Sequence, residues 1–165
     1  MDNLRIEIRY AVLISLLTLL WLSVEFMVGL HDVYISYHMF TNWLALLIPV
    51  ICIRMALNEK ADQQNGRLSF KQGFGSGFLV AFFAAVLTVP VQFVFHKLIN
   101  PDYFDTMIQV AVNHAENAKL NGMRAREEAA LYYNLTSYII QSGLLMLVFG
   151  TIVAAISAWF ARNDN

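Results

Sequence analysis

Four long apolar runs are the feature that most constrains how this chain can fold. They lie at residues 10–30, 38–57, 73–95 and 136–161. The hydrocarbon core of a bilayer is about 30 Å thick, and a helix needs about 20 apolar residues to cross it. Each run has the required length. We therefore predict an all-α fold, an integral membrane four-helix bundle whose first partner is the lipid bilayer.

Composition agrees with this fold class and excludes others. The chain has 165 residues, of which 58% are hydrophobic and 14% charged, too apolar for an ordinary soluble domain. A net charge of −1 offers no basic surface, so we expect no nucleic-acid partner. The first run is longer than the apolar region of a signal peptide and lacks a small-x-small cleavage site, so we expect it to remain as a span.

The connection between the third and fourth runs, residues 96–135, carries helix signals of its own. A typical helix start, with an N-cap residue, a proline and an acid, is formed by Asn100, Pro101 and Asp102. Apolar residues then recur at helical spacing, and Asn121 with Gly122 resembles a helix stop. We predict an external helical segment between spans three and four, within one membrane domain covering residues 1–165.

The basic residues predict the orientation. Seven of the eleven Lys and Arg residues fall on the side of the two termini: Arg5, Arg9, Arg54, Lys60, Arg67, Lys71 and Arg162. Cytoplasmic loops of membrane proteins carry an excess of Lys and Arg, and four spans place both termini on one side. We therefore predict that both termini are cytoplasmic.

The stretch "GFGSGF", residues 73–78, raises the question of a phosphate-binding loop. It has neither the Gly-Lys-Ser/Thr ending of a Walker loop nor the spacing of a dinucleotide fingerprint. Small residues instead recur at every fourth position of the third run, at Gly73, Gly77, Ala81 and Ala85, and a similar stripe in the fourth run comprises Gly150, Ala154 and Ala158. Small residues let helices approach closely in lipid. The stripes predict helix packing, either of span three on span four or between two copies of the chain.

One acidic residue, Glu25, lies within the first run. Ionisable groups in lipid are costly, and they mark functional sites or pair with a neighbour. Histidines titrate near neutral pH, and three of them are expected near the same end of the bundle, at His31, His38 and His96. These four residues form a candidate polar site for a proton relay or an ion. The alternative is that Glu25 hydrates or pairs at the membrane interface.

Other chemistry is not indicated. The histidines do not follow an HExxH or paired Cys/His spacing, so we expect no metal site and no cofactor. We find no nucleophile motif such as GxSxG and no paired inward carboxylates, so we expect no catalytic residues and no enzyme activity. Within the spans, Gln92 and Gln141 are predicted to form interhelical hydrogen bonds, Arg54 to extend to water, and Pro49 to bend span two.

Three segments together resemble a known family. They are "GRLSFKQGFGSGF" at residues 66–78, "INPDYFDTM" at residues 99–107 and "GTIVAAISAWFARND" at residues 150–164. The resemblance is to the bacterial family called domain of unknown function 4199, and it covers about residues 42–164. It implies a small four-span protein of the bacterial inner membrane with an extended external helical segment. The family has no established activity, so the resemblance assigns no functional residues.

Three functions stay open at this point. The leading interpretation is a non-enzymatic interaction or assembly protein, acting through the external segment on a membrane protein partner or as a homo-oligomer. The alternative is a small transporter or channel component that uses Glu25 and the outer histidines. A membrane enzyme acting on lipid comes third.

Overall fold

All the secondary-structure elements that the structure describes are helices. The structure, a computed structural model, describes residues 4–161, except for the side chains of Ser36 and Met39. These residues contain no strand. They form a five-residue π-helical turn, Phe95–Ile99, and seven α-helices: α1 Arg5–Met27, α2 Ile35–Ala45, α3 Leu47–Gln63, α4 Phe70–Val94, α5 Tyr103–Asn117, α6 Gly122–Tyr132 and α7 Leu135–Ala161. The predicted basic residue Arg162 lies outside the described range.

Four helical segments are long and apolar enough to cross a membrane. They are span one Arg5–Met27, span two Phe40–Gln63, span three Phe70–Ile99 and span four Leu135–Ala161. The predicted fold class is thereby confirmed, with α5 and α6 lying between spans three and four. Many apolar side chains of the spans point away from the protein, as expected for surfaces that face lipid.

Span two differs from the prediction at both ends. It begins at Phe40 rather than at residue 38 and continues to Gln63 rather than ending at residue 57. It is built from the second half of α2 and from α3, which are separated by Leu46. The break comes before Pro49, whose ring excludes the carbonyl of residue 45 from normal helical geometry. The extension contains good helix formers, and its Glu59 and Lys60 both bond to α1.

The four spans share a core of small and aliphatic side chains. It contains Ala11, Ile53, Ala56, Leu57, Leu68, Val80, Ala81, Ala84, Ala154 and Ala158. These residues lie in the half of the bundle where α1 begins and α7 ends, which we call the terminal half. The opposite half carries α5 and α6, and we call it the hairpin half.

Helix α5 begins later than the sequence pattern indicates. Its first residue is Tyr103, and the Asp102 side chain makes no capping hydrogen bond. The π-helical turn closes α4 with a bond from the Asn100 N–H to the Phe95 carbonyl of 2.8 Å, and Pro101 cannot continue that helix. The Asn100 side chain is buried against His31 instead of capping α5.

Asn121 starts a helix rather than stopping one. Helix α5 ends at Asn117, and Lys119 takes a left-handed conformation with φ of 58°. The Asn121 carboxamide oxygen then accepts hydrogen bonds from the backbone N–H groups of Met123, at 3.0 Å, and Arg124, at 3.2 Å. Such an N-cap satisfies donors that the first turn of α6 would otherwise leave unpaired. The prediction that Asn121 and Gly122 end a helix is therefore wrong, because Asn121 caps the start of α6.

Candidate functional site

The small-residue stripes of spans three and four face each other. A Cβ atom placed on Gly77 would lie 2.7 Å from the Ala154 Cβ, and one on Gly150 would lie 2.6 Å from the Ala81 Cβ. A Cβ on Gly73 would lie 3.1 Å from Ala158. Larger side chains cannot occupy these positions without moving a helix. The structure thus places the stripes in one antiparallel contact between α4 and α7.

One member of this contact escaped the sequence reasoning. Gly143 lies on α7 opposite Ala85, whose carbonyl oxygen would be 3.6 Å from a Cβ placed on the glycine. Gly143 lies seven residues, or two helical turns, before Gly150, and this spacing indicates that both lie on the same helix face. The phosphate-loop alternative has no support in this geometry, because the glycines of "GFGSGF" lie within the continuous helix α4.

The same glycine-rich stretch supplies Ser76 to a buried ion pair. Glu7 is 1% exposed, and its Oε1 accepts hydrogen bonds from Lys60 Nζ at 2.8 Å and from Ser76 Oγ at 2.6 Å. The pair joins α1, α3 and α4 in the terminal half. Sequence reasoning missed Glu7 because span one was expected to begin at residue 10. Glu7 lies four residues, about one helical turn, before the buried Ala11. This spacing places both residues on the same face of the helix and was the available sign that Glu7 is buried.

Further polar contacts tie α3 to its neighbours in the terminal half. Glu59 forms an ion pair with Arg9, and Glu59 Oε2 accepts a hydrogen bond of 3.1 Å from the Tyr10 hydroxyl. Arg54, expected to extend to water, donates from Nη1 to the Ser157 carbonyl of α7 at 3.0 Å. These groups have structural partners and leave no donor or acceptor set for a ligand.

The two glutamines of spans three and four behave differently. Gln92 Nε2 donates to Ser142 Oγ at 2.9 Å, which confirms the predicted interhelical hydrogen bond. Gln141 Nε2 donates to Ser137 Oγ at 3.2 Å, one turn earlier on its own helix. The interhelical prediction for Gln141 is therefore wrong, because a nearer acceptor lies on the same helix face.

In the hairpin half, Glu25, His31 and His38 come together, and we call these three residues the Glu–His cluster. Glu25 Oε2 lies 3.4 Å from His31 Nε2 and 3.7 Å from His38 Nδ1. The three residues are 2%, 2% and 7% exposed. An acid and two imidazoles are therefore enclosed together within the bundle.

The local chain conformation explains this meeting. Helix α1 ends at Met27, and Gly29 then adopts φ of 79°, a left-handed conformation that glycine accepts readily. The Leu30 N–H bonds back to the Glu25 carbonyl at 2.9 Å. This turn sends the chain back across the end of α1 and carries His31 onto Glu25. His38 follows one turn into α2.

The outward-facing nitrogens of both imidazoles have polar neighbours. His31 Nδ1 lies 3.4 Å from Asn100 Nδ2, and His38 Nε2 lies 3.3 Å from both the Tyr103 hydroxyl and Asn42 Nδ2. The Tyr103 hydroxyl also lies 3.1 Å from that of Tyr138. Burial raises the pKa of Tyr103 to about 12, so its hydroxyl keeps its proton at neutral pH. Residues that follow span three therefore close the cluster.

His96 belongs to the same region but stands apart from Glu25. It lies in the π-helical turn, where its ring centroid is 4.8 Å from that of Tyr103, 4.4 Å from Phe104 and 5.5 Å from Tyr138. Of the four residues predicted for the polar site, three are in mutual contact and the fourth lies beyond the Tyr103 ring. Irregular π-turns often occur at functional sites.

The polar atoms inside the cluster lack hydrogen-bond partners. Both carboxylate oxygens of Glu25, Nε2 of His31 and Nδ1 of His38 are buried and make no hydrogen bond with any described residue. Their separations of 3.4 and 3.7 Å exceed the usual 2.7–3.2 Å of such bonds. Buried polar groups are nearly always paired, so this set requires an explanation.

A cavity of about 470 Å³ adjoins the cluster. All four spans contribute to its wall. Its polar lining includes His31, His38, Asn42, Gln92, His96, Tyr103, Tyr138 and Ser142, and its apolar lining includes Ile14, Leu145, Met146 and Phe149. This volume lies in the range of small-molecule sites, and a largely apolar wall with a few polar groups is their usual composition.

Comparisons with known proteins give a family without an activity. No curated protein and no solved structure matches the chain. The sequence profile of a family described as "Protein of unknown function (DUF4199)" matches residues 9–163, nearly the whole length. The match includes the first two segments on which the resemblance rested and all but the last residue of the third, and it extends the resemblance back to residue 9, within span one. The chain therefore belongs to the DUF4199 family.

Proposed function

We propose that this protein is a non-enzymatic component of a small transporter or channel, and that the Glu–His cluster is its cation- or proton-handling site. One observation carries the proposal. A carboxylate and two imidazoles are buried together beside a cavity between the spans, and their facing atoms have no hydrogen-bond partner among the described residues. Ionisable groups placed this way in membrane proteins typically mark ion paths and proton relays.

Comparison of the two buried glutamates supports this assignment. Glu7 is held by the ammonium of Lys60 and the hydroxyl of Ser76, so its burial is accounted for by structure. Glu25 is equally buried, but no hydrogen bond of usual length reaches its carboxylate. Around it lie the imidazoles of His31 and His38, the Thr41 hydroxyl and the Trp21 indole. An uncompensated buried carboxylate destabilises a fold. Its presence is explained if the site gains a proton or a cation during function.

The histidines provide a connection from the carboxylate to the cavity. His31 and His38 both contact Glu25 and line the cavity wall. An imidazole ring can accept a proton at one nitrogen and release one from the other. A proton entering the cavity can therefore reach the carboxylate through one imidazole, and a cation entering it meets the histidines beside the carboxylate.

The test is a flux measurement in liposomes. Vesicles containing the full chain and an entrapped pH indicator are subjected to a potassium diffusion potential, with and without an external divalent cation. We expect proton movement above that of protein-free vesicles in at least one condition. The Glu25→Gln variant should lose it, whereas Glu127→Gln, at an exposed site on α6, should keep it. Wild-type proton movement equal to the protein-free level in both conditions would contradict proton transport and proton-coupled cation transport.

An interaction or assembly role is the second candidate, and the surface of the hairpin favours it. Leu120, Met123 and Leu131 are 67%, 75% and 79% exposed on α6 and the preceding turn. These side chains can contact a membrane protein partner or a second copy of the chain.

Cross-linking tests the interaction role. The native Cys52 is buried, so a cysteine introduced by Met123→Cys is the reactive one. We expect a specific cross-linked species in membranes with this variant and none with Gln109→Cys, at an exposed polar site on α5. Equal or absent cross-linking in both variants would count against an interface at the hairpin.

We further propose a location in the bacterial inner membrane, with both termini in the cytoplasm. The excess of basic residues on the terminal side supports this orientation. The hairpin and the Glu–His cluster then face the outer side of the membrane. Any ligand of the cavity would enter from that side.

A further inference from the structure

We propose that Glu25, His31 and His38 bind a divalent transition-metal cation, with zinc as the best match. The inference rests on the same cluster as the proposed function and names the class of its ligand. It reverses the sequence-based expectation of no metal site. The reversal is due to the turn at Gly29, which brings together donors that follow no recognised ligand spacing.

The spacing of the donor atoms fits an ion between them. One ligand atom from each of the three residues can be chosen such that all lie within 4.8 Å of one another. Two atoms that each lie about 2.1 Å from a zinc ion at a tetrahedral angle are separated by about 3.4 Å. The observed separations from Glu25 Oε2 are 3.4 Å and 3.7 Å. These separations are too long for good hydrogen bonds. They are close to the distance of about 3.4 Å between two ligand atoms of a tetrahedral zinc ion.

The atoms that would bind the ion are the ones that lack partners. His31 is without a hydrogen bond at Nε2 and His38 at Nδ1, and these are the nitrogens that face Glu25. Both carboxylate oxygens are likewise unpartnered among the described residues. A divalent cation at this point would bind both nitrogens and one carboxylate oxygen, and its charge would outweigh that of the buried carboxylate.

The opposite nitrogens have the neighbours that histidine ligands usually require. A metal-bound imidazole generally donates its other N–H to an oxygen, which fixes the ring orientation. His38 Nε2 can donate to the Tyr103 hydroxyl, which can in turn donate to Tyr138. His31 Nδ1 faces the Asn100 carboxamide, which presents an oxygen acceptor after a half-turn of its amide group.

The donor set selects the class of metal. Two imidazoles and one carboxylate suit zinc and other first-row transition metals, whereas calcium and magnesium prefer oxygen ligands. Three protein ligands leave a fourth position open, as in catalytic rather than structural zinc sites. His31 and His38 line the cavity, so a water molecule or small ligand there can occupy that position.

The test uses the full chain purified in detergent without a polyhistidine tag and stripped with EDTA. We equilibrate it with micromolar Zn²⁺ or Co²⁺, measure bound metal by mass spectrometry, and record the visible spectrum of the Co²⁺ form. We expect one ion per chain and the absorption bands of a low-coordinate nitrogen and oxygen site. His31→Ala and His38→Ala should each weaken binding by about 100-fold or more.

His114 provides the matched control. It is exposed on α5 and distant in sequence from the cluster, so His114→Ala should bind metal as the wild type does. The thermal unfolding midpoint of the wild type should rise with Zn²⁺ and stay unchanged with Mg²⁺. These wild-type measurements decide the question even if the cluster variants fail to fold.

Several results would overturn the metal site. They are no bound Zn²⁺ or Co²⁺ in the wild type, equal binding of Mg²⁺, or binding that depends on His114 rather than on the cluster. Metal binding without flux in liposomes would support this site and contradict transport. Flux through Glu25 without metal binding would contradict the metal site and leave transport supported.

Discussion

At the residue scale, the two buried carboxylates of Glu7 and Glu25 have different surroundings. Glu7 is near the start of span one and Glu25 near its end, and both are at most 2% exposed. Glu7 has a charged and a neutral donor within 2.8 Å. Glu25 has two imidazole nitrogens at 3.4 and 3.7 Å and makes no hydrogen bond to a described residue. The first arrangement is a structural pair, and the second fits the proposed proton or cation site.

The structural role of the first pair leads to a stability prediction. Lys60→Met should lower the free energy of unfolding by about 3 kcal/mol, because it leaves the Glu7 carboxylate buried without its cation. Lys71→Met, at an exposed position on α4, is the control and should change stability little. Denaturant unfolding of the purified protein in mixed micelles measures the difference. Equal stability of the two variants would show that the ion pair does not support the fold.

Sequence reasoning reached Glu25 and its histidines but not Glu7. A charged residue inside a predicted span is conspicuous, whereas Glu7 lies in the polar segment that precedes the predicted start at residue 10. The sequence pattern predicts a capping role for Asn100 and does not indicate that Asn100, Tyr103 and Tyr138 border the cluster or its neighbours. Their roles depend on the π-helical turn and on the fold of the connection, which no short-range pattern encodes.

At the element scale, the contact of α4 with α7 determines the centre of the bundle. The stripe of small residues predicted this contact because lipid offers no hydrophobic drive for helix association and close approach becomes decisive. The sequence left open whether span three packs on span four or on another copy of the chain, and the structure shows the contact with span four. The predicted helix limits were less accurate at Asn121 and Asp102, since the same residue types serve starts and ends of helices.

The glycine contact leads to a paired prediction. Gly77→Leu should destabilise the protein by about 1–3 kcal/mol, because its Cβ would meet Ala154 at 2.7 Å and force the helices apart. Gly75→Leu is the control, since a Cβ there has no described atom within 4 Å beyond its own helix and chain neighbours. Thermal unfolding in detergent compares them. Equal midpoints for the two leucine variants would mean that the stripe does not hold α4 to α7.

At the scale of the whole molecule, the bundle is divided by chemistry. The terminal half contains the apolar core and the Glu7–Lys60 ion pair, in which Glu7 Oε1 accepts two hydrogen bonds and Oε2 accepts none from a described residue. The hairpin half contains the cavity, the cluster and the tyrosines. Close packing in one half provides rigidity, while irregular backbone at Gly29 and in the π-helical turn shapes the other. This division is typical of a scaffold that supports a site at one end.

The hairpin and the two termini are proposed to lie on opposite sides of the membrane, so reporter fusions at the two ends of the bundle test the orientation. Alkaline phosphatase fused after Gly122 should be active, and the same enzyme fused at Asn165 should be inactive, because it requires the oxidising side of the bacterial membrane. A cytoplasmic fluorescent reporter at the two positions serves as the reciprocal control. The opposite pattern would place the hairpin and the Glu–His cluster on the cytoplasmic side.

We infer that Glu25 is retained for function, whereas Glu7 is retained for stability. The most direct measurement is the unfolding free energy of Glu25→Gln and Glu7→Gln in mixed micelles with EDTA. We predict that Glu7→Gln is less stable than the wild type by about 2 kcal/mol, because a charge-assisted network is lost. Glu25→Gln should be as stable as the wild type or more so, because it removes a buried charge that no hydrogen bond of usual length stabilises. A loss of stability in Glu25→Gln equal to that in Glu7→Gln would contradict the account.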